Sequence, residues 1–178
     1  MRSASMVVSF SWGLASLKDK PLRYVGISAA IFVRYFIGLF HFFAGINKFR
    51  NGWMWSDALK IVFETRIADL QKLDMNAIES FGLLYLQNFA VPFHLPIAQI
   101  IGLGEFYVGI ACFIGLTSRW AGGLAFFLMF NFAIGGYYDA SLLPLMALAL
   151  VLVFAPTGHW LGLDRRMAAK YPNAIWFR

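Results

Sequence analysis

Cysteine and charge are what this chain has least of. Cys112 is its single cysteine, which excludes an intrachain disulfide, a CxxC redox pair and a metal site built on clustered thiolates. Any redox chemistry must therefore be borrowed from a partner. Charged side chains make up only 13% of the 178 residues, about half the share of an ordinary soluble domain. Hydrophobic types reach 60% and the mean hydropathy is +0.66, so the natural solvent for this chain is lipid. Rings are abundant: 19 Phe, 6 Trp and 7 Tyr could line bilayer interfaces, helix contacts or a cleft for a flat ligand.

The net charge of +6 would suit nucleic acid only if the Lys and Arg were clustered on one face beside stacking aromatics. They sit mainly at the ends of apolar runs, which is the pattern of membrane topology. No nucleic-acid partner is expected. A first span runs from Gly26 to Asn47, a second from Pro96 to Leu116, a third from Arg119 to Gly136 and a fourth from Ala140 to Ala155. The first two meet the roughly 20 residues a bilayer requires, and the last two are slightly short. Met1 to Leu17 has no clean cleavage site, and serines interrupt its apolar residues, so it reads as a retained segment lying in the interface.

Between the first two spans, Phe49 to Leu95 is too polar to cross and too patterned to be loose. Ser56 and Asp57 can start an amphipathic helix, with Leu59, Val62, Phe63, Ile67, Leu70 and Leu73 at spacings of three and four. Asn76 can cap a second helix carrying Ile78, Phe81, Leu84 and Tyr85 along one side, before Pro92 and Pro96 interrupt regular structure. The expected fold is an all-α integral membrane four-helix bundle with this helical cap between spans one and two. The flanks set its orientation. Arg2, Lys18, Lys20, Arg23, Arg119, Arg165, Arg166, Lys170 and Arg178 belong inside, and the turn from Gly136 to Asp139 has no basic residue. Both termini are expected in the cytoplasm and the cap outside.

Arg34 lies within a span, where a charge costs a few kcal/mol at the least, so it should face the interior and find a partner. Glu105 in the second span is the candidate. Such a pair either fixes how the helices register or marks a proton or ligand path. Arg34, Gly38, His41, Gly45 and Lys48 are spaced four, three, four and three apart, which puts all five on one helix stripe, and Gly102, Glu105, Gly109 and Cys112 repeat the pattern. The glycines suit close helix packing, or approach of a flat ligand to the backbone. His41 is a hydrogen-bonded interior residue or a proton carrier. His94 and His159 join it in no ligand spacing, and neither metal nor haem is expected. Lys48, Arg50, Trp53 and Trp55 form an interfacial anchor or an anion site, and Asn131 suits a bond between helices.

Four pieces of sequence resemble the DoxX and DoxD family of small four-span membrane proteins. They are Arg34-Tyr-Phe-Ile-Gly38 with Ala44-Gly45-Ile-Asn-Lys48-Phe49, then Gly102-Leu-Gly-Glu105 with Gly109, then Gly115-Leu-Thr-Ser-Arg119, and finally Gly158 to Asp164. Together they cover most of Ile31 to Arg166, and the long capped segment is closer to the DoxD-like members. That family includes the large subunit of thiosulfate:quinone oxidoreductase as well as accessory parts of larger redox systems. The resemblance implies a redox-linked subunit of a bacterial or archaeal plasma membrane, with quinone as electron acceptor and other membrane or redox subunits as partners. On that basis Glu105 and His41 would handle protons, Arg34 would hold Glu105 ionised or orient it, and Lys48, Arg50 and Trp53 would receive an anionic donor. The alternative it leaves open is a non-catalytic structural subunit of a respiratory or photosynthetic complex.

Overall fold

A computed structural model describes residues 21–72, 74–134 and 140–177, and all of its regular secondary structure is helical. The long helices are α1 (Pro21–Arg50), α4 (His94–Ile114), α5 (Ser118–Ile134) and α6 (Leu142–Phe154). Between α1 and α4 lie α2 (Ala58–Leu70) and α3 (Ala77–Tyr85), the latter continuing into a π-helical turn at Leu86–Ala90. Two short helices, α7 (Thr157–Trp160) and α8 (Asp164–Lys170), close the chain with a 3-10 turn at Ile175–Phe177. The interfacial segment Met1 to Leu17, the turn at 136–139 and Leu73 lie outside the described residues.

Two helices, Leu22–Arg50 and His94–Ile114, are long and apolar enough to cross a membrane, and Leu142–Phe154 is apolar but shorter. At 1.5 Å per residue the first two reach about 44 and 32 Å, against roughly 30 Å of hydrocarbon. α1 pairs most extensively with α4, and α5 with α6. One core is built around Ile37, Val108, Cys112, Ala121, Ala125, Met129, Ala149 and Leu152. Small residues dominate it because the helices approach closely.

The cap builds a second core from Leu59, Phe63 and Leu70 of α2, Leu86 and Ala90 of the π turn, and Ala98 of α4. Asn76 caps α3 as expected. Its Oδ1 accepts the Glu79 N–H at 3.0 Å, and Glu79 Oε2 accepts the Asn76 N–H at 2.9 Å, so both ends of the box are closed. The apolar side of α3 is not its buried side. Phe81 and Leu84 are 61% and 58% exposed, and it is Leu86 that is fully buried. The Val91 N–H to Leu86 carbonyl bond of 2.9 Å spans five residues, and this wider winding shifts which side of the segment meets the core.

Candidate functional site

Each of the two stripes is buried along its whole length, as expected: Arg34, Gly38, His41, Gly45 and Lys48 on α1, and Gly102, Glu105, Gly109 and Cys112 on α4. They face each other. A Cβ added to Gly109 would lie 2.8 Å from Phe42 Cβ, and one on Gly38 would lie 2.8 Å from Cys112 Cβ. Only hydrogen fits there, so the glycines set the helix separation. Gly45 lies opposite Glu105 and Phe106, and Gly38 opposite Gly109 and Cys112, which fixes an antiparallel register.

That register brings together a pair the sequence had not matched. Lys48 Nζ donates to Glu105 Oε1 at 2.6 Å, with the residues 9% and 3% exposed. The ammonium also lies 5.3 Å from the ring centres of Trp53 and Phe132, so two π faces complete its surroundings. Glu105 Oε2 is buried and has no hydrogen-bond partner among the described residues. Lys48 is therefore a neutralised interior cation and not an open surface charge. Removing either member alone would strand the other, at a cost of about 3–5 kcal/mol.

Arg34 does not meet Glu105. It lies level with Gly115, since a Cβ there would come within 3.0 Å of Arg34 Nη1. Gly115 is ten residues along α4 from Glu105, roughly 15 Å of rise. Arg34 Nη1 instead donates to the Thr157 carbonyl at 2.7 Å, while the Tyr35 ring centre lies 4.8 Å from its guanidinium carbon. Arg34 is fully buried, and its Nε and Nη2 have no hydrogen-bond partner among the described residues.

At this Arg34 end a second constellation appears whose partners the sequence did not predict. Asp164 Oδ1 accepts the Thr117 N–H at 2.5 Å. Its Oδ2 accepts the Ser118 N–H at 3.1 Å and the Ser118 hydroxyl at 2.8 Å. A buried carboxylate thus caps α5 from 46 residues away, satisfying orphan donors at the positive end of that helix. The Asp164 N–H returns a bond to the Gly115 carbonyl at 2.9 Å. Gly115 has φ +64°, the left-handed stop of α4, and a Cβ there would sit 2.7 Å from the Gly162 Cα. Gly158 is likewise forced, because a side chain on it would run into the Asp164 carboxylate and the Ser118 hydroxyl. Three sequence pieces, at Arg34, at Gly115 to Arg119 and at Gly158 to Asp164, converge here.

The remaining expected site residues are scattered. His41 is buried, with Nδ1 donating to the Ile37 carbonyl of its own helix at 3.1 Å. Arg50 is exposed beside a shallow groove shared with Phe43, Ile46, Asn47 and Asn51. Trp53 covers Lys48, and Trp55 packs edge-on against Phe49 at 4.8 Å. His94 ties the cap to α4, with Nε2 2.9 Å from Asp57 Oδ1 and Nδ1 2.9 Å from the Val91 carbonyl. The Asn131 amide bonds the Phe127 carbonyl of its own helix at 2.8 Å, where a bond between helices was expected. An amide can reach the carbonyl four residues back without any neighbour, and that local option won.

Beside the Lys48–Glu105 pair, between cap and bundle, a cavity of about 30 Å³ is lined by Phe63, Tyr85, Ile97, Leu128, Asn131 and Phe132 among others. It has room for a water molecule or two, far less than a drug-sized ligand needs. Phe132 is shared between this cavity and the cation, so the buried pair has small polar space one ring away. The arrangement can hold a proton at a buried carboxylate and can lock helix register. No family model, curated protein or solved structure matches this chain.

Proposed function

We propose that this chain is a four-span membrane subunit of a redox system, in which Glu105 exchanges a proton with membrane quinone. The reading draws on the resemblance to the DoxX and DoxD pattern described above. Glu105 carries the proposal: a carboxylate 3% exposed in an apolar helix, with one oxygen on Lys48 and the other without a partner. Intramembrane ionisable groups of this kind mark proton and ion paths. Lys48, rather than Arg34, would hold the carboxylate ionised between turnovers, and His41, two turns from Lys48 on the α1 stripe, would pass the proton along. The two electrons that convert quinone to quinol come from an external reductant of the thiosulfate class, directly or through another subunit. Exposed Arg50 is the residue that would draw the anion in.

In this topology α1 and α4 are full spans, and α5 and α6, at 17 and 13 residues, cross where the bilayer is locally thinned. The termini lie in the cytoplasm of a bacterial or archaeal plasma membrane, and the cap outside. Quinone would approach from the lipid, because the cavity beside the pair is too small to receive it.

One observation favours a second reading, a structural subunit of a larger complex: Lys48 and Glu105 satisfy each other and hold α1 to α4 in register without any ligand. The two diverge under Glu105→Gln in protein purified in mild detergent, assayed for thiosulfate-dependent quinone reduction and for co-purifying subunits. Loss of reduction with intact assembly supports proton exchange. Loss of the assembly itself, or a wild-type protein inert outside a larger complex, replaces it with the structural role.

A further inference from the structure

Next to the Arg34 end, an open groove of about 420 Å³ is walled by His159, Gly162, Arg165 and Arg166 of the C-terminal segment. Both arginines are exposed, and neither meets a carboxylate among the described residues. The one acid between 157 and 177, Asp164, is buried and commits both oxygens to Thr117 and Ser118. Gly162, in the groove wall, packs on Gly115, and a Cβ on Gly115 would meet both the Gly162 Cα at 2.7 Å and Arg34 Nη1 at 3.0 Å. A third guanidinium therefore adds its field to the same end. The neighbouring surface is apolar and aromatic: Leu161, Tyr171 and Ile175 are exposed, and the Trp120 and Trp176 rings meet at a 46° tilt with centres 4.8 Å apart.

We propose that this groove seats the phosphate of an anionic phospholipid headgroup. The guanidinium forks of Arg165 and Arg166 match phosphate oxygens two at a time, and a headgroup fits the open volume. The paired tryptophans set the depth, since such rings sit at headgroup level. A lipid, unlike a free anion, also covers the exposed apolar neighbours. This inference rests on the membrane topology proposed above, with this end facing the cytoplasmic leaflet, where basic clusters attract anionic lipid.

The test uses the full chain in mild detergent, titrated with phosphatidylglycerol, phosphatidylcholine or inorganic phosphate and read by native mass spectrometry and thermal shift. Wild type should prefer phosphatidylglycerol over phosphatidylcholine by roughly 25-fold, about five-fold per exposed arginine. Arg165→Gln with Arg166→Gln should abolish that preference, and Arg166→Gln alone, at an exposed position, should lose about five-fold should the double variant fail to fold. A preference that survives the substitutions overturns the site. Equal stabilisation by inorganic phosphate overturns the lipid as occupant. Carbonate-washed membranes separate this from the topology: protein stripped by the wash sinks the membrane proposal, whereas protein retained without lipid preference sinks the headgroup seat alone.

Discussion

The two ends of the α1–α4 pair handle buried charge in opposite ways. At the Lys48 end, charge meets charge: one ammonium, one carboxylate, 2.6 Å apart, with aromatic rings around them. At the Arg34 end a cation and an anion are both buried, yet each is bonded to backbone, Arg34 to the Thr157 carbonyl and Asp164 to the Thr117 and Ser118 amides. The first arrangement joins two side chains and could be exchanged as a unit for apolar residues. The second joins helix ends, so the main chain itself depends on it.

Four substitutions sharpen or break this contrast. Glu105→Leu should cost most, about 3–5 kcal/mol, because Lys48 is left buried without its partner. The check is equilibrium unfolding in mixed micelles. Asp164→Ala should come next, at about 3 kcal/mol, since two amides lose a charged acceptor worth roughly 1.5–3 kcal/mol. Hydrogen exchange localised to the start of α5 should rise in that variant and stay unchanged in Glu105→Leu. Tyr107→Phe removes the hydroxyl that meets Thr117 Oγ1 at 2.6 Å on the exposed side of the same turn, and should cost about 1 kcal/mol. Smallest of all should be the double change Lys48→Met with Glu105→Leu, within about 1 kcal/mol of wild type. If the double variant is as damaged as Glu105→Leu alone, the Lys48 end is not a self-contained pair and the contrast fails.

What the sequence made legible follows the same division. Helix spacing placed Arg34, Gly38, His41, Gly45 and Lys48 on one buried face, because a period of 3.6 residues needs no knowledge of neighbours. The Asn76 cap was equally readable, being closed by Glu79 three residues on. The partner of Arg34 was not. Which residues face each other depends on where each helix begins, and α1 starts at Pro21, five residues before the expected span. Gly115 to Arg119 and Gly158 to Asp164 were singled out, but nothing within either piece announces that Asp164 caps the other. In α3 the spacing puts Phe81 and Leu84 on one side, but apolar character alone does not say whether that side is buried, and both are exposed.

The distance in sequence between Asp164 and the turn it caps has a consequence for biogenesis. When Ser118 leaves the ribosome at the start of α5, its amide still awaits an acceptor 46 residues away. At about 5–20 residues per second that interval lasts several seconds. During it the α4–α5 hairpin must persist with an open helix start, held by its glycine stop and satisfied by water at the surface. The last stretch of the chain then acts as a latch, and a protein cut short before Asp164 would complete its long helices without ever closing them.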